Sequence, residues 1–152
     1  MKITFFITVS LCGILFFSCK KKEIKPNTNT EAMVSLPADF RAFYENFHTD
    51  SLFQIRHTAF PLKGLPINAD SLTLASDNFF YEEKDWRMQR AIDFGKGEFI
   101  QNIIPLTDRI VTERILKADN QFGIERRFAK LSDGEWNLIY YCAPNRFTII
   151  QK

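Results

Sequence analysis

The stretch Phe122-Gly123-Ile124-Glu125-Arg126-Arg127-Phe128-Ala129-Lys130-Leu131-Ser132-Asp133-Gly134-Glu135-Trp136-Asn137-Leu138-Ile139-Tyr140-Tyr141-Cys142 decides the fold. Its first half alternates, with Phe122, Ile124, Arg126 and Phe128 on one side and Glu125, Arg127 and Ala129 on the other. That is the period of two of a strand. Ser132-Asp133-Gly134 carries the turn chemistry of a hairpin, because Gly tolerates a positive φ and Asp folds back onto its own backbone. Trp136, Leu138, Tyr140 and Cys142 then form the apolar face of a returning strand.

Working outward, Ile110 to Lys117 reads as the preceding strand, with Ile110 and Leu116 on one face and Val111 and Ile115 on the other; Asp119-Asn120 turns the chain into Phe122. Upstream the period changes. Phe40, Phe43, Tyr44 and Phe47 fall at i, i+3, i+4 and i+7, the apolar stripe of a helix. Pro37 suits its first turn, and Asp39 complements its positive end. Ser51-Leu52-Phe53-Gln54 has the form of a capping box opening a second helix, which must stop before Pro61. Between Pro61 and Ile110 the signals are weaker. Lys63-Gly64-Leu65-Pro66 and Asn68 to Ser71 read as turns, Leu72-Thr73-Leu74 as a short strand, and Phe79 through Trp86 as aromatic without a period. Helices followed by antiparallel strands predict an α+β domain with its N-terminal helices packed on one side of a curved sheet.

The N-terminus reads as an address. Lys2 precedes an apolar run from Ile3 to Phe17, 15 positions against the roughly 20 of a membrane-spanning helix. The run closes on Leu15-Phe16-Phe17-Ser18-Cys19, which resembles a lipobox. Residues 1–18 are therefore expected to be a cleaved signal peptide and Cys19 the lipid-bearing first residue of a mature envelope lipoprotein. Two or three acyl chains, palmitate among them, anchor stably where one holds only marginally. Residues 19–36 are the lipidated cysteine and a flexible tether, rich in Lys, Asn and Thr and poor in apolar residues. Seventeen such residues reach roughly 55–60 Å at most. Lys20 stands where an inner-membrane retention signal would place Asp, which points to the outer membrane.

With Lys2 gone, the remaining Lys and Arg exceed the 18 Asp and Glu by one. That balance argues against a nucleic-acid surface, which needs a basic stripe. Cys142 is the only other cysteine of the mature chain, so an internal disulfide is excluded; set in Ile139-Tyr140-Tyr141-Cys142, it reads as a buried, inert thiol. Residues 37–152 suit one domain.

The run Phe40-Arg41-Ala42-Phe43-Tyr44-Glu45-Asn46-Phe47-His48-Thr49-Asp50-Ser51-Leu52-Phe53-Gln54-Ile55-Arg56-His57, followed by Pro61-Leu62, resembles the opening of a family of Gram-negative envelope lipoproteins of unknown function. There an F-x-x-F-Y-x-x-F-x-T-D-S-x-F-Q-x-x-H stretch runs into a P-L step. Trp86, Gly123-Ile124 and the closing F-x-x-x-x-G-x-W-x-L hairpin from Phe128 to Leu138 match in order, and the resemblance covers most of Asp39 to Tyr141. It implies a nuclear transport factor 2-like (cystatin-like) α+β cone, often present as two tandem modules, of which this chain has room for one. The family has no established activity, so no residue role follows from it.

A cone offers a cavity, and polar groups in apolar surroundings nominate its site. Arg126 alternates in register with Phe122, Ile124 and Phe128; Glu113 on the preceding strand is its nearest natural partner. The pair reads either as a structural ion pair or as a pocket cation that grips a carboxylate. Tyr44, Trp86, Tyr140 and Tyr141 suit a ligand-lining aromatic wall. His48 and His57 each close a helix and read as capping or surface groups. No metal-ligand spacing, phosphate loop or nucleophile elbow is present, so no catalytic residue, metal or cofactor is assigned. The expected function is a non-enzymatic module, held to the membrane by its N-terminal lipid, that binds a small molecule, peptide or protein. The alternatives are an isomerase or dehydratase that uses the cone cavity, and an assembly subunit, for instance a homodimer.

Overall fold

The computed structural model describes residues 36–117 and 122–146. The expected leader, Cys19, nearly all of the tether and the Asp119-Asn120 turn lie outside the described residues. Leu36, expected to end the tether, is instead buried in the hydrophobic core.

The apolar stripe forms helix α1, Ala38–Thr49, with Pro37 at its N-cap and Phe40, Phe43, Phe47 and His48 buried. Helix α2, Ser51–Arg56, follows after one residue. Its cap is Asp50 rather than the expected Ser51: the carboxylate accepts from the backbone N–H groups of Leu52 and Phe53. Gln54 does not turn back to the cap and lies fully buried.

Six strands form one sheet in the order β2-β1-β6-β5-β4-β3. They are β1 (Leu62–Leu65), β2 (Phe79–Tyr81), β3 (Phe99–Thr107), β4 (Ile110–Lys117), β5 (Phe122–Lys130) and β6 (Trp136–Arg146). All neighbours are antiparallel except β1 and β6. Strands β4 and β5 run as the alternation predicts, and β6 follows it only as far as Leu138. Three expectations upstream are corrected. The segment expected to turn at Lys63-Gly64-Leu65 is β1, a short strand inserted between β2 and β6. Gly64 is required there, since a side chain would strike the Tyr141 carbonyl oxygen and the Tyr81 ring. Leu72-Thr73-Leu74 is helical, within α3 (Ser71–Ser76), because Asp70 accepts from the Thr73 N–H and starts a helix. The antiparallel run of strands leading into β6 also begins earlier than Ile110, with β3.

Strand β6 carries irregularities that bend the sheet. Arg127 faces Tyr140 while Phe128 faces Leu138, so Ile139 is an extra residue, and a second shift falls between Gly123 and Glu125. Each bulge adds twist and reverses which side chains point inward. Trp136 and Leu138 therefore share the core with Tyr141 and Ala143, not with Tyr140 and Cys142. Cys142 is nevertheless buried, on the Glu125 side of the sheet, and burial pushes its thiol up, as an inert thiol requires.

Helix α1 lies across the inner face. Phe128 is met edge-on by Phe40, Phe43 and Phe47, with ring centroids 5.6, 5.7 and 5.5 Å away. Each such side chain contributes roughly 1.5–3 kcal/mol by leaving water. Asp39 ties the helix start to the far strands, accepting from Lys130 Nζ at 2.7 Å and from Trp136 Nε1 at 3.1 Å.

Candidate functional site

The inner face holds two separate groups of polar and aromatic residues. The first is buried beneath α1. Register places Glu113 of β4 directly beside Arg126 of β5, and their side chains are 1 % and 2 % exposed. Arg126 Nη1 stands 3.3 Å from Glu113 Oε2. The other carboxylate oxygen accepts from the Tyr44 hydroxyl of α1 and, at 2.6 Å, from Gln101 Nε2 of β3. His48 sits one helical turn beyond Tyr44. Its Nδ1 lies 2.8 Å from the Tyr44 carbonyl oxygen, which can only accept, so Nδ1 carries the proton. Nε2 then offers its lone pair to Arg126 Nη1. Burial, and secondly the Arg126 charge, hold the imidazole below its ordinary pKa and keep it neutral. Burial, and next the Glu113 charge, push the Tyr44 phenol far above its ordinary range, so it remains a donor.

Arg126, Glu113 and Tyr44 thus come together, as the sequence suggested for the first two. They are committed to one another and roofed by the phenylalanines of α1. His48, expected as a capping or surface group, completes the group; its position one turn after Tyr44, beside Phe47, was the available signal. Asp50 is exposed at its cap, and His57 stacks on Phe53 at 4.0 Å.

The second group opens to solvent. A cleft of about 290 Å³ is lined by Pro66, Ile67, Tyr81, Asp85, Trp86, Arg87, Gln89, Tyr141 and Ala143. The Trp86 ring stands nearly perpendicular to those of Tyr81 (80°) and Tyr141 (83°), with centroids 6.0 and 5.3 Å away. Two of the three polar heads are engaged by the protein: Tyr81 donates its hydroxyl to the Leu65 carbonyl at 2.6 Å, and Trp86 donates its indole N–H to Gln54 Oε1 at 3.1 Å. Tyr81 and Trp86 thus present mainly ring surface to the cleft, beside Tyr141. Of the expected aromatic wall, Trp86 and Tyr141 belong here. Tyr140 does not: the Ile139 bulge turns it to the opposite face, where Arg127 packs over its ring at 4.6 Å. Burial there pushes its phenol up to about 12.

Gln54 braces the cleft wall from within. Its Oε1 accepts from the Gln89 backbone N–H at 2.7 Å as well as from Trp86, and its Nε2 donates to the Gln89 carbonyl at 2.9 Å and to the Phe47 carbonyl. One buried amide therefore fixes both backbone groups of Gln89, the indole of Trp86 and the end of α1. A segment with no regular structure of its own is held rigid by a side chain 35 residues away in sequence.

No family model matches the chain, and no curated protein does. Among the solved structures that resemble it are the following two. A cystatin-like protein from Bacteroides caccae superposes with a TM-score of 0.53 at 15 % identity, over 68 % of this chain and 74 % of that one. An NTF2-like protein from Bacteroides fragilis gives 0.45 at 17 % identity, over 76 % of this chain and 49 % of that one. At these identities the likeness concerns the fold alone: the first superposition carries it, and the chain has the cystatin-like α+β arrangement that its motifs implied.

Three outcomes follow from these contacts. Arg126→Met leaves Glu113 charged and unneutralised in the core, and should lower the unfolding free energy by about 3–5 kcal/mol in urea titrations, with Arg126→Met/Glu113→Gln less affected than the single variant; a loss under about 1 kcal/mol for Arg126→Met would contradict the buried pair. Acidification should act through His48. Its folded pKa is depressed, so its contribution to stability is complete above the unfolded value near 6.5 and is lost as pH falls through the folded value. Unfolding free energy should therefore decline from about pH 6.5 toward 5, and His48→Gln should flatten that slope. Gln54→Leu should cost at least about 2 kcal/mol by orphaning several buried groups, and should shift Trp86 emission to the red.

Proposed function

We propose that this chain is a lipoprotein anchored in the outer membrane through Cys19, whose single domain binds a small molecule, peptide or protein at the aromatic cleft and performs no chemistry on it. The observation that carries the binding part is the Gln54 brace. Holding Trp86 and Gln89 rigid costs a buried polar side chain, and a preorganised concave wall of aromatic faces is what ligand recognition needs. The lipobox-like Leu15 to Cys19 and the polar stretch behind it carry the anchor. Such an anchor and tether would place the cleft within reach of ligands near the membrane surface.

One observation favours an enzyme of the isomerase or dehydratase type: Glu113, Tyr44 and His48 converge, the residue types that serve as acid and base. That reading requires α1 to lift and admit substrate to residues now sealed beneath it. An assembly role, including a homodimer, draws support from β3, an edge strand without a charged residue that exposes Ile100, Ile104 and Leu106.

Two measurements test the proposal. Cys19→Ser should release the protein from membranes in cell fractionation, whereas an unchanged membrane fraction would refute the anchor. The neutral probe 2-naphthol should quench the fluorescence of the full chain saturably, and Trp86→Ala should abolish that response. Quenching that survives in Trp86→Ala would refute the cleft as the site.

A further inference from the structure

The donors and acceptors around the cleft narrow what it can hold. Its floor and walls are aromatic rings together with Pro66, Ile67 and Ala143, and its polar groups are Asp85, Arg87, the Tyr141 hydroxyl and Gln89, whose Nε2 also donates to the Arg87 carbonyl at 2.9 Å. Asp85, Arg87 and Gln89 recur at every second residue from the 3-10 turn Glu83–Asp85 onward, flanking Trp86. Neither Asp85 nor Arg87 forms an ion pair with another described residue. Asp85 only accepts hydrogen bonds, Arg87 only donates them, and Gln89 does both.

A ligand that satisfies this set presents donors and acceptors side by side around an apolar face. An anion would meet the Asp85 carboxylate and a cation the Arg87 guanidinium, each at the mouth of the same cleft. A proline-rich peptide supplies carbonyl acceptors but few donors, and would leave Asp85 unpaired. A fully apolar molecule leaves these polar groups without a use. The volume, at the lower end of ligand pockets, admits a group of one or two rings. A pyranose ring combines these properties. Its axial C–H groups form an apolar patch that packs on an indole or phenol face, and its equatorial hydroxyls each donate and accept around the edge. Planar carboxylate, guanidinium and amide groups can engage adjacent hydroxyls two at a time.

We infer that the cleft is a saccharide site: one neutral pyranose unit stacks on the aromatic corner of Tyr81, Trp86 and Tyr141 while Asp85, Arg87 and Gln89 bond its hydroxyls. The inference rests on the cleft being the binding site. Gln54 acts as a positioning residue, since it touches the wall and not the sugar. The bracing lets the rings meet the ligand without first being ordered, which matters for a weak, single-unit contact.

The test uses the full chain in a detergent without a sugar headgroup, screened against an array of neutral mono- to tetrasaccharides built from the common pyranoses, with isothermal titration of the free sugar for each hit. The expected result is saturable binding of at least one neutral sugar, weakened about tenfold or more by Trp86→Ala and by Asp85→Ala. Asp85 is exposed and outside the core, so its variant keeps the fold and the experiment remains decisive if Trp86→Ala is unstable. Binding that is unchanged in both variants overturns the inference, as does an array on which nothing binds. The 2-naphthol response separates the two failures. If it persists and depends on Trp86 while no sugar binds, the ligand class is wrong and the cleft stands; if it too is absent, both fall.

Discussion

Beneath helix α1 a glutamate and an arginine on adjacent strands face each other in a nearly water-free space, and much of the domain is arranged to keep them there. Two buried charges cost several kcal/mol each to remove from water. Their cost is offset only while every neighbour holds its place: Tyr44 and Gln101 on the carboxylate, His48 on the guanidinium. Those partners come from α1 and β3 and the pair itself from β4 and β5, so the cluster fixes how the helix lies on the sheet. It also uses up the polar groups that the cone interior could otherwise offer to a ligand. Arg126 Nε finds no acceptor among the described residues, so the cluster is a device for specifying one arrangement more than a source of net stability.

Among the described residues an accessible concavity lies beside this cluster, where β1, β2 and the 85–89 segment meet β6. Gln54 links the two regions. It lies on α2, four residues beyond the Asp50 junction with α1, and its amide reaches both the end of α1 and the cleft wall. The helices are thereby more than a cover for the sheet, because they set the shape of a surface formed by residues far along the chain.

Much of this was legible in the sequence and some was not, for identifiable reasons. The Phe40-Phe43-Phe47 stripe and the strands from Ile110 to Lys130 follow their periods because each buries one continuous face. The Arg126–Glu113 pairing was readable because Arg126 shares the parity of Phe128. Strand β1 was hidden, since four residues with a central glycine show no alternation, and their strand character comes from neighbours on both sides. Strand β3, Phe99–Thr107, mixes Gln101 and Asn102 with a proline, so its pattern was diluted. The bulge at Ile139 reversed the faces of Tyr140 and Tyr141, which no alternation rule can register. Gln54 resembled a local capping residue, and only tertiary contacts reveal its partners.

The central claim is that the interior is a closed structural cluster and the braced cleft is where ligands meet the protein. Side-chain 15N NMR of the full chain during a 2-naphthol titration tests it most directly, because it observes His48 and the Trp86 indole together. The account predicts that His48 holds its Nδ1-protonated, neutral form throughout while the Trp86 Nε1–H resonance shifts to saturation. A His48 signal that shifts or changes tautomer while Trp86 stays fixed would show that ligand enters beneath α1, and would contradict the account.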